Sequence, residues 1–81
     1  MGNHARMSTE YDRLLATLAR NLRRLRERQR VSQEALALEA GIDRTFISKI
    51  ERRLANPSLA TLCAIASVLE VSTLALLSPT N

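Results

Sequence analysis

The chain has few of the residues from which metal sites, disulfides and catalytic centres are built. Its 81 residues include one cysteine, one histidine, one tyrosine, one phenylalanine and no tryptophan. Cys63 has no second cysteine for an internal disulfide, and it forms no familiar metal-ligand spacing with His4. No nucleophile is paired with a base. The sequence therefore predicts a protein that is not an enzyme and binds no metal or cofactor, with Cys63 as a small thiol in the core.

Long apolar runs are also missing. No stretch approaches the ~18 residues of a membrane span, and no signal peptide opens the chain, so we expect a cytoplasmic protein with no membrane partner. Hydrophobic residues make up 46% of the chain but are mostly Leu, Ile, Val and Ala, a composition that favours packed helices over strands. The expected fold class is all-α. A chain this short has a thin core, so a second copy often adds stability, and we expect a homodimer.

Charged residues are scarce in the C-terminal part of the chain. No lysine or arginine follows Arg53, and Glu70 is the only charged residue from position 54 to position 81. The arginines are concentrated at positions 20–30, and a second basic group lies at positions 44–53. The basic N-terminal part suits binding to a polyanion, and the nearly uncharged C-terminal part suits contact with protein. Any one arginine between positions 20 and 30 is also explained as part of a solvated helix face.

The sequence indicates one domain over residues 9–78, preceded by a disordered tail or expression leftover at residues 1–8. Thr9 is expected to cap a first helix that ends near Gln29. Ser58 should then cap a fourth helix that ends at Val71, and Ser72 a last short helix that ends at Leu77.

Residues 32–52 are the central feature. Apolar residues recur at helical spacing on both sides of Gly41, which predicts two short helices joined by a tight turn. Glycine adopts the positive φ that such a turn needs. Ser32 and Asp43 are placed to cap the two helices.

The pattern of Gln33, Ala37, Gly41, Ile47 and Ile50 resembles the helix-turn-helix of the Cro/C1-type (XRE) family. The resemblance covers roughly residues 22–77, and it implies left-handed bends at Arg30 and Arg53, where related sequences usually carry glycine. It implies a compact five-helix, lambda-repressor-like domain that binds double-stranded DNA through helices 2 and 3. The run DRTFISKIER, residues 43–52, looks most like restriction-modification controller proteins, although phage-type repressors and antitoxins share the pattern.

The N-terminal half of the second motif helix should read bases in the major groove. This selects Arg44, Thr45 and Lys49, with Ser48 as a fourth candidate. Instead of reading a base, Arg44 could contact a phosphate or pair with a nearby acidic residue. Phosphate contacts are expected from five further residues: Ser32, Gln33, Arg52, Arg53 and Asn56. Gln33 is also placed to brace the recognition helix.

Two further pairs have structural roles. The resemblance implies an ion pair between Arg26 and Glu51 that holds the first helix against the recognition helix. Leu74 and Ala75 are apolar where related sequences are often acidic, which predicts a dimer interface there. The alternative is that Leu74 packs inward.

The expected function is sequence-specific transcription regulation by a homodimer on a near-palindromic operator with half-sites about 34 Å apart. The alternative is a protein-interaction or antitoxin-type module that keeps only the helix-turn-helix scaffold.

Overall fold

The computed structural model describes residues 2–79, with side chains from residue 9 onward. Within this part of the chain there are five helices and no strand: α1 Gly2–Arg28, α2 Gln33–Ala40, α3 Arg44–Glu51, α4 Leu59–Leu69 and α5 Thr73–Leu77. The predicted all-α class is confirmed. None of these helices is long and apolar enough to span a membrane.

The first helix is longer than expected. It begins at Gly2, so Thr9 lies inside α1 and is not its N-cap. The backbone of residues 2–8 continues the same helix, and Met1 lies outside the described residues. Among the side chains described from residue 9 onward, the buried stripe of α1 starts at Thr17 and Leu18, and Tyr11 and Leu14 are about two-fifths exposed, at 42% and 41%.

The four remaining helices begin at the predicted caps. Ser32 Oγ accepts the Ala35 N–H at 2.9 Å, and Asp43 Oδ1 accepts the Thr45 N–H at 2.7 Å. Ser58 and Ser72 cap α4 and α5 in the same way. Each cap satisfies a backbone donor that has no partner within its own helix.

Left-handed residues follow four of the five helices. Gly41 has φ +71° at the end of α2, and Arg30 and Arg53 have φ of 60° and 63° at the two expected bends. Glu70, with φ 57°, ends α4 at Leu69, two residues before the predicted end at Val71. The N–H groups of Glu70 and Val71 donate to the carbonyls of Ser67 and Ala66, so hydrogen bonding holds a non-glycine residue in this conformation.

The core draws side chains from all five helices. Its seven largest fully buried hydrophobic side chains are Leu22, Leu36, Ile47, Ile50, Ile65, Leu69 and Leu76. Cys63 is not among them, and the prediction of a core thiol is wrong: Cys63 is exposed, and its Sγ accepts a hydrogen bond from Thr73 Oγ1 at 3.4 Å. Leu62, Ile65, Ala66 and Leu69 occupy the inward face of α4, which turns position 63 outward.

Two side-chain amides link the C-terminal helices to α1 and to the turn that follows it. Asn21 is 0% exposed, and its Nδ2 donates to the carbonyls of Leu76 at 3.0 Å, Ser78 at 2.8 Å and Ala75 at 3.3 Å. Gln29 Nε2 donates to the Leu69 carbonyl at 2.8 Å at the end of α4. The apolar pattern of α1 did not indicate either contact, because both residues are polar.

Candidate nucleic-acid interface

The outer face of α3 carries the predicted base-reading residues. Ile47 and Ile50 are buried at 0% and 1% exposure, and they anchor the opposite face of the helix in the core. Arg44, Thr45 and Lys49 are exposed, and Ser48 is half-buried. Three of the eight residues in α3 are therefore exposed and two are half-buried, on a helix whose orientation is fixed by packing.

Polar and apolar groups share this surface. Asp43, Thr45, Phe46 and Lys49 line a shallow open groove of about 210 Å³. Phe46 is half-buried and packs against the core cluster, so it supports α3 and does not form a stacking platform. Neither Arg44 nor Lys49 has an ion-pair partner within the described residues, and both charges face solvent.

The predicted phosphate contacts lie on both sides of α3. Ser32 stands at the start of α2, where its Oγ already serves as the cap. Arg52, Arg53 and Asn56 are exposed after the end of α3, and Arg52 Nε donates to Ser48 Oγ at 3.3 Å. Free backbone donors at the start of α2 add to the attraction for an anion.

Gln33 differs from these residues because its amide already has a protein partner. Its Nε2 donates to Glu51 Oε1 at 3.1 Å, which joins the start of α2 to the end of α3. The bracing role considered from the sequence is therefore present in the free protein.

Glu51 receives four hydrogen bonds. Arg26 Nε donates to Oε2 at 2.7 Å and Arg26 Nη2 to Oε1 at 3.0 Å, a two-pronged ion pair. Arg23 Nε lies 3.4 Å from the same Oε1 that Gln33 contacts. The Glu51 side chain has no solvent exposure, so its charge is held inside the protein by these donors.

These contacts set the ionisation of the pair. Burial by itself raises the pKa of Glu51, but the hydrogen bonds from Arg26, Gln33 and Arg23 and the charge of Arg26 outweigh it, so its pKa lies below the ordinary value. The hydrogen bond to Glu51 raises the pKa of Arg26. Both groups are charged at neutral pH.

Leu74 lies on the surface of α5. It is 73% exposed, so the alternative in which it packs inward is wrong, and Ala75 beside it is half-buried. Asn21 holds the carbonyls at the end of this helix. Leu74 is therefore an exposed apolar side chain on a helix whose position is fixed by hydrogen bonds to Asn21.

The helix-turn-helix family HTH_3 matches residues 22–76, which span all of α2, α3 and α4 and most of α5. The chain belongs to this family. Over an alignment of 83 residues it is 40% identical to the Neisseria hypothetical transcription factor of Neisseria meningitidis serogroup B, covering 98% of this chain and 77% of that protein. Its relatives in the helix-turn-helix family are transcription regulators and not enzymes.

Solved structures agree with this membership. The crystal structure of the hypothetical transcription factor NHTF from Neisseria superposes with a TM-score of 0.79 and 41% identity, covering 82% of this chain and 76% of that one. The restriction-modification controller protein C.AhdI from Aeromonas hydrophila gives a TM-score of 0.74 and 34% identity, covering 76% and 94%. Control protein C.SmaI of Serratia marcescens is 42% identical over 55 residues, covering 68% of this chain and 66% of that protein.

Proposed function

We propose that this helix-turn-helix protein is a sequence-specific regulator of transcription that binds a near-palindromic operator in double-stranded DNA as a homodimer. The observation that carries the proposal is the outer face of α3. Three exposed side chains, Arg44, Thr45 and Lys49, stand on a short helix whose other face is sealed into the core. A helix so presented fits the major groove, which is about 12 Å wide.

Each reading residue has a defined chemistry. Arg44 donates two hydrogen bonds to guanine O6 and N7, and Thr45 offers a hydroxyl to a base edge or its methyl group to thymine. Lys49 reaches a guanine acceptor about one turn further along α3. Ser48 is half-buried and hydrogen-bonded to Arg52, so it contributes at the edge of this surface.

Phosphate contacts position α3 without reading sequence. Ser32 and Gln33 bind one backbone from the start of α2, and Arg52, Arg53 and Asn56 bind it beyond the end of α3. Gln33 has a second Nε2 hydrogen, so it binds a phosphate while it keeps its bond to Glu51.

The dimer forms through the exposed apolar end of α5. Leu74 is 73% exposed and Ala75 adjoins it, in a region where Glu70 is the only charge after Arg53. A two-fold interface at this site repeats α3 on the partner, and such pairs read half-sites about 34 Å apart. Two solved relatives, C.AhdI and C.Esp1396I, are restriction-modification controller proteins, and C.SmaI is a control protein, which supports a controller-type role.

Selection of duplexes from a random pool tests this function. We expect the selected duplexes to share a near-palindrome, and Arg44→Ala to weaken binding to the best duplex by about 1 to 3 kcal/mol, roughly 5- to 150-fold. The same variant should bind a scrambled duplex about as well as the parent protein does. A pool that stays random after selection would refute sequence-specific binding.

A further inference from the structure

A groove rich in arginine runs along α1, outside the base-reading face. It is open, has a volume of about 720 Å³ and contains two acidic side chains, Glu27 and Glu51. Glu51 pairs with Arg26, which does not line the groove, and with Arg23 at 3.4 Å, so it neutralises at most one of the groove arginines. The arginines that line it are Arg20, Arg23, Arg24, Arg28 and Arg53.

The spacing of these charges is regular. Arg20, Arg24 and Arg28 follow one another at intervals of four residues on α1, which places their Cα atoms about 6 Å apart along the helix axis. This row of cations suits a linear polyanion with closely spaced charges, such as a nucleic-acid backbone.

The groove is poorly neutralised by the protein itself. Arg20, Arg28 and Arg53 have no ion pair or hydrogen-bond acceptor among the described side chains. Arg24 donates from Nη2 to Asn21 Oδ1 at 3.4 Å, but its buried Nε has no acceptor within the described part of the chain. A buried donor without an acceptor is unfavourable, and an anion in the groove brings acceptors close to it.

The groove adjoins the proposed phosphate-binding surface at two points. Arg53 belongs to both. On the other side, Arg23 Nε and Gln33 Nε2 lie 3.4 Å and 3.1 Å from the same oxygen, Glu51 Oε1, so the wall of the groove meets the start of α2. A DNA strand bound at Gln33 and Arg53 therefore passes beside the groove.

We infer that this groove binds the DNA backbone that flanks the operator half-site, so that each subunit covers more DNA than its recognition helix reads. The inference rests on the proposed function. Phosphates are the same at every base pair, so the groove adds affinity and salt dependence without adding sequence selectivity.

The double variant Arg20→Gln/Arg28→Gln tests this inference. Both residues are exposed, so the fold should be retained, and circular dichroism checks it. Two controls match it: Arg20→Lys/Arg28→Lys keeps the charges, and Arg13→Gln removes an exposed charge of α1 that does not line the groove. Binding is measured from low to high salt on a selected and a scrambled duplex, each extended by about one helical turn on both sides.

We expect the plot of log K, the DNA-binding constant, against log salt concentration to become less steep. Its slope should decrease in magnitude by about 0.9 for each lost phosphate contact, or about 1.8 per subunit for the glutamine pair. This decrease in the salt slope should be the same on the selected and scrambled duplexes, and neither control variant should show it. Trimming the flanks should remove the difference between the glutamine pair and the parent protein.

An unchanged slope in the glutamine pair on the extended duplexes would overturn the inference, and an acidic protein segment would then be the occupant to test. This failure is separate from failure of the proposed function. If no duplex is selected, sequence-specific reading fails, whereas the slope on the scrambled duplex still decides whether the groove binds phosphates.

Discussion

Replacing Glu51 with alanine should destabilise the fold strongly. The carboxylate is fully shielded from solvent, and the Arg26 side chain that pairs with it is 12% exposed. Removing one partner of a buried ion pair costs about 3 to 5 kcal/mol, because the remaining charge is uncompensated. Arg26 keeps a hydrogen bond to the Val31 carbonyl at 3.0 Å, so we expect the lower end, about 3 kcal/mol. In a domain of this size that corresponds to a fall in Tm of about 12 to 24 °C.

The same contact predicts a pH dependence. The folded-state pKa of Glu51 is lowered, so its contribution to the free energy of unfolding is fully present above the unfolded value, about 4.3, and is lost as pH falls through the folded-state pKa. Glu51→Gln removes this titration. The difference in Tm between the parent protein and this variant should be constant near neutral pH and should shrink below about pH 4.3.

Thermal unfolding followed by circular dichroism measures both effects. Arg23→Gln is the matched control, because Arg23 contacts the same carboxylate at 3.4 Å but its side chain is 54% exposed. An exposed partner contributes at most about 1 kcal/mol, so this variant should melt close to the parent protein. If the Glu51→Ala protein also had a Tm close to that of the parent protein, the claim that the ion pair stabilises the fold would be refuted.

Three other predictions concern α4 and α5. Leu74→Asp combined with Ala75→Asp should convert the dimer into a monomer in light scattering, and a dimer that persists would locate the interface elsewhere. Glu70→Gly should raise Tm by about 4 to 8 °C, because it relieves about 1 kcal/mol of left-handed strain and removes a carboxylate from the negative end of α4; an unchanged or lower Tm would contradict this. Asn21→Ala should cost about 2 to 3 kcal/mol in urea unfolding, since it strands carbonyls that include the buried one of Leu76, and an unchanged midpoint would show that water replaces the amide.

The local signals of the chain predicted most of the helix boundaries. Ser32, Asp43, Ser58 and Ser72 have short polar side chains that can accept a hydrogen bond only from backbone donors two or three residues ahead, so each one marks a helix start with little dependence on the rest of the fold. Gly41 marked the turn for a similar local reason.

Features that depend on tertiary packing were harder to predict. Cys63 was expected in the core, and only the packing of α4 against its neighbours turned it outward. Asn21 was overlooked because its partners are backbone carbonyls more than fifty residues away, and no sequence spacing records such a contact. The start of α1 differed because the cap signal at Thr9 falls inside a longer helix, and the end of α4 differed because Glu70 is a residue type with no strong helix-end signal.

One buried carboxylate ties the stability of the domain to the geometry of its proposed DNA surface. Glu51 holds Arg26 of α1 and Gln33 of α2 while it belongs to α3, so three helices are fixed relative to one another at a single side chain. Arg44 stands at the other end of α3, and Gln33 opens α2, so their separation is set through this contact. Because base reading tolerates little displacement, a change that loosens Glu51 should weaken selective binding even at temperatures where the domain is still folded.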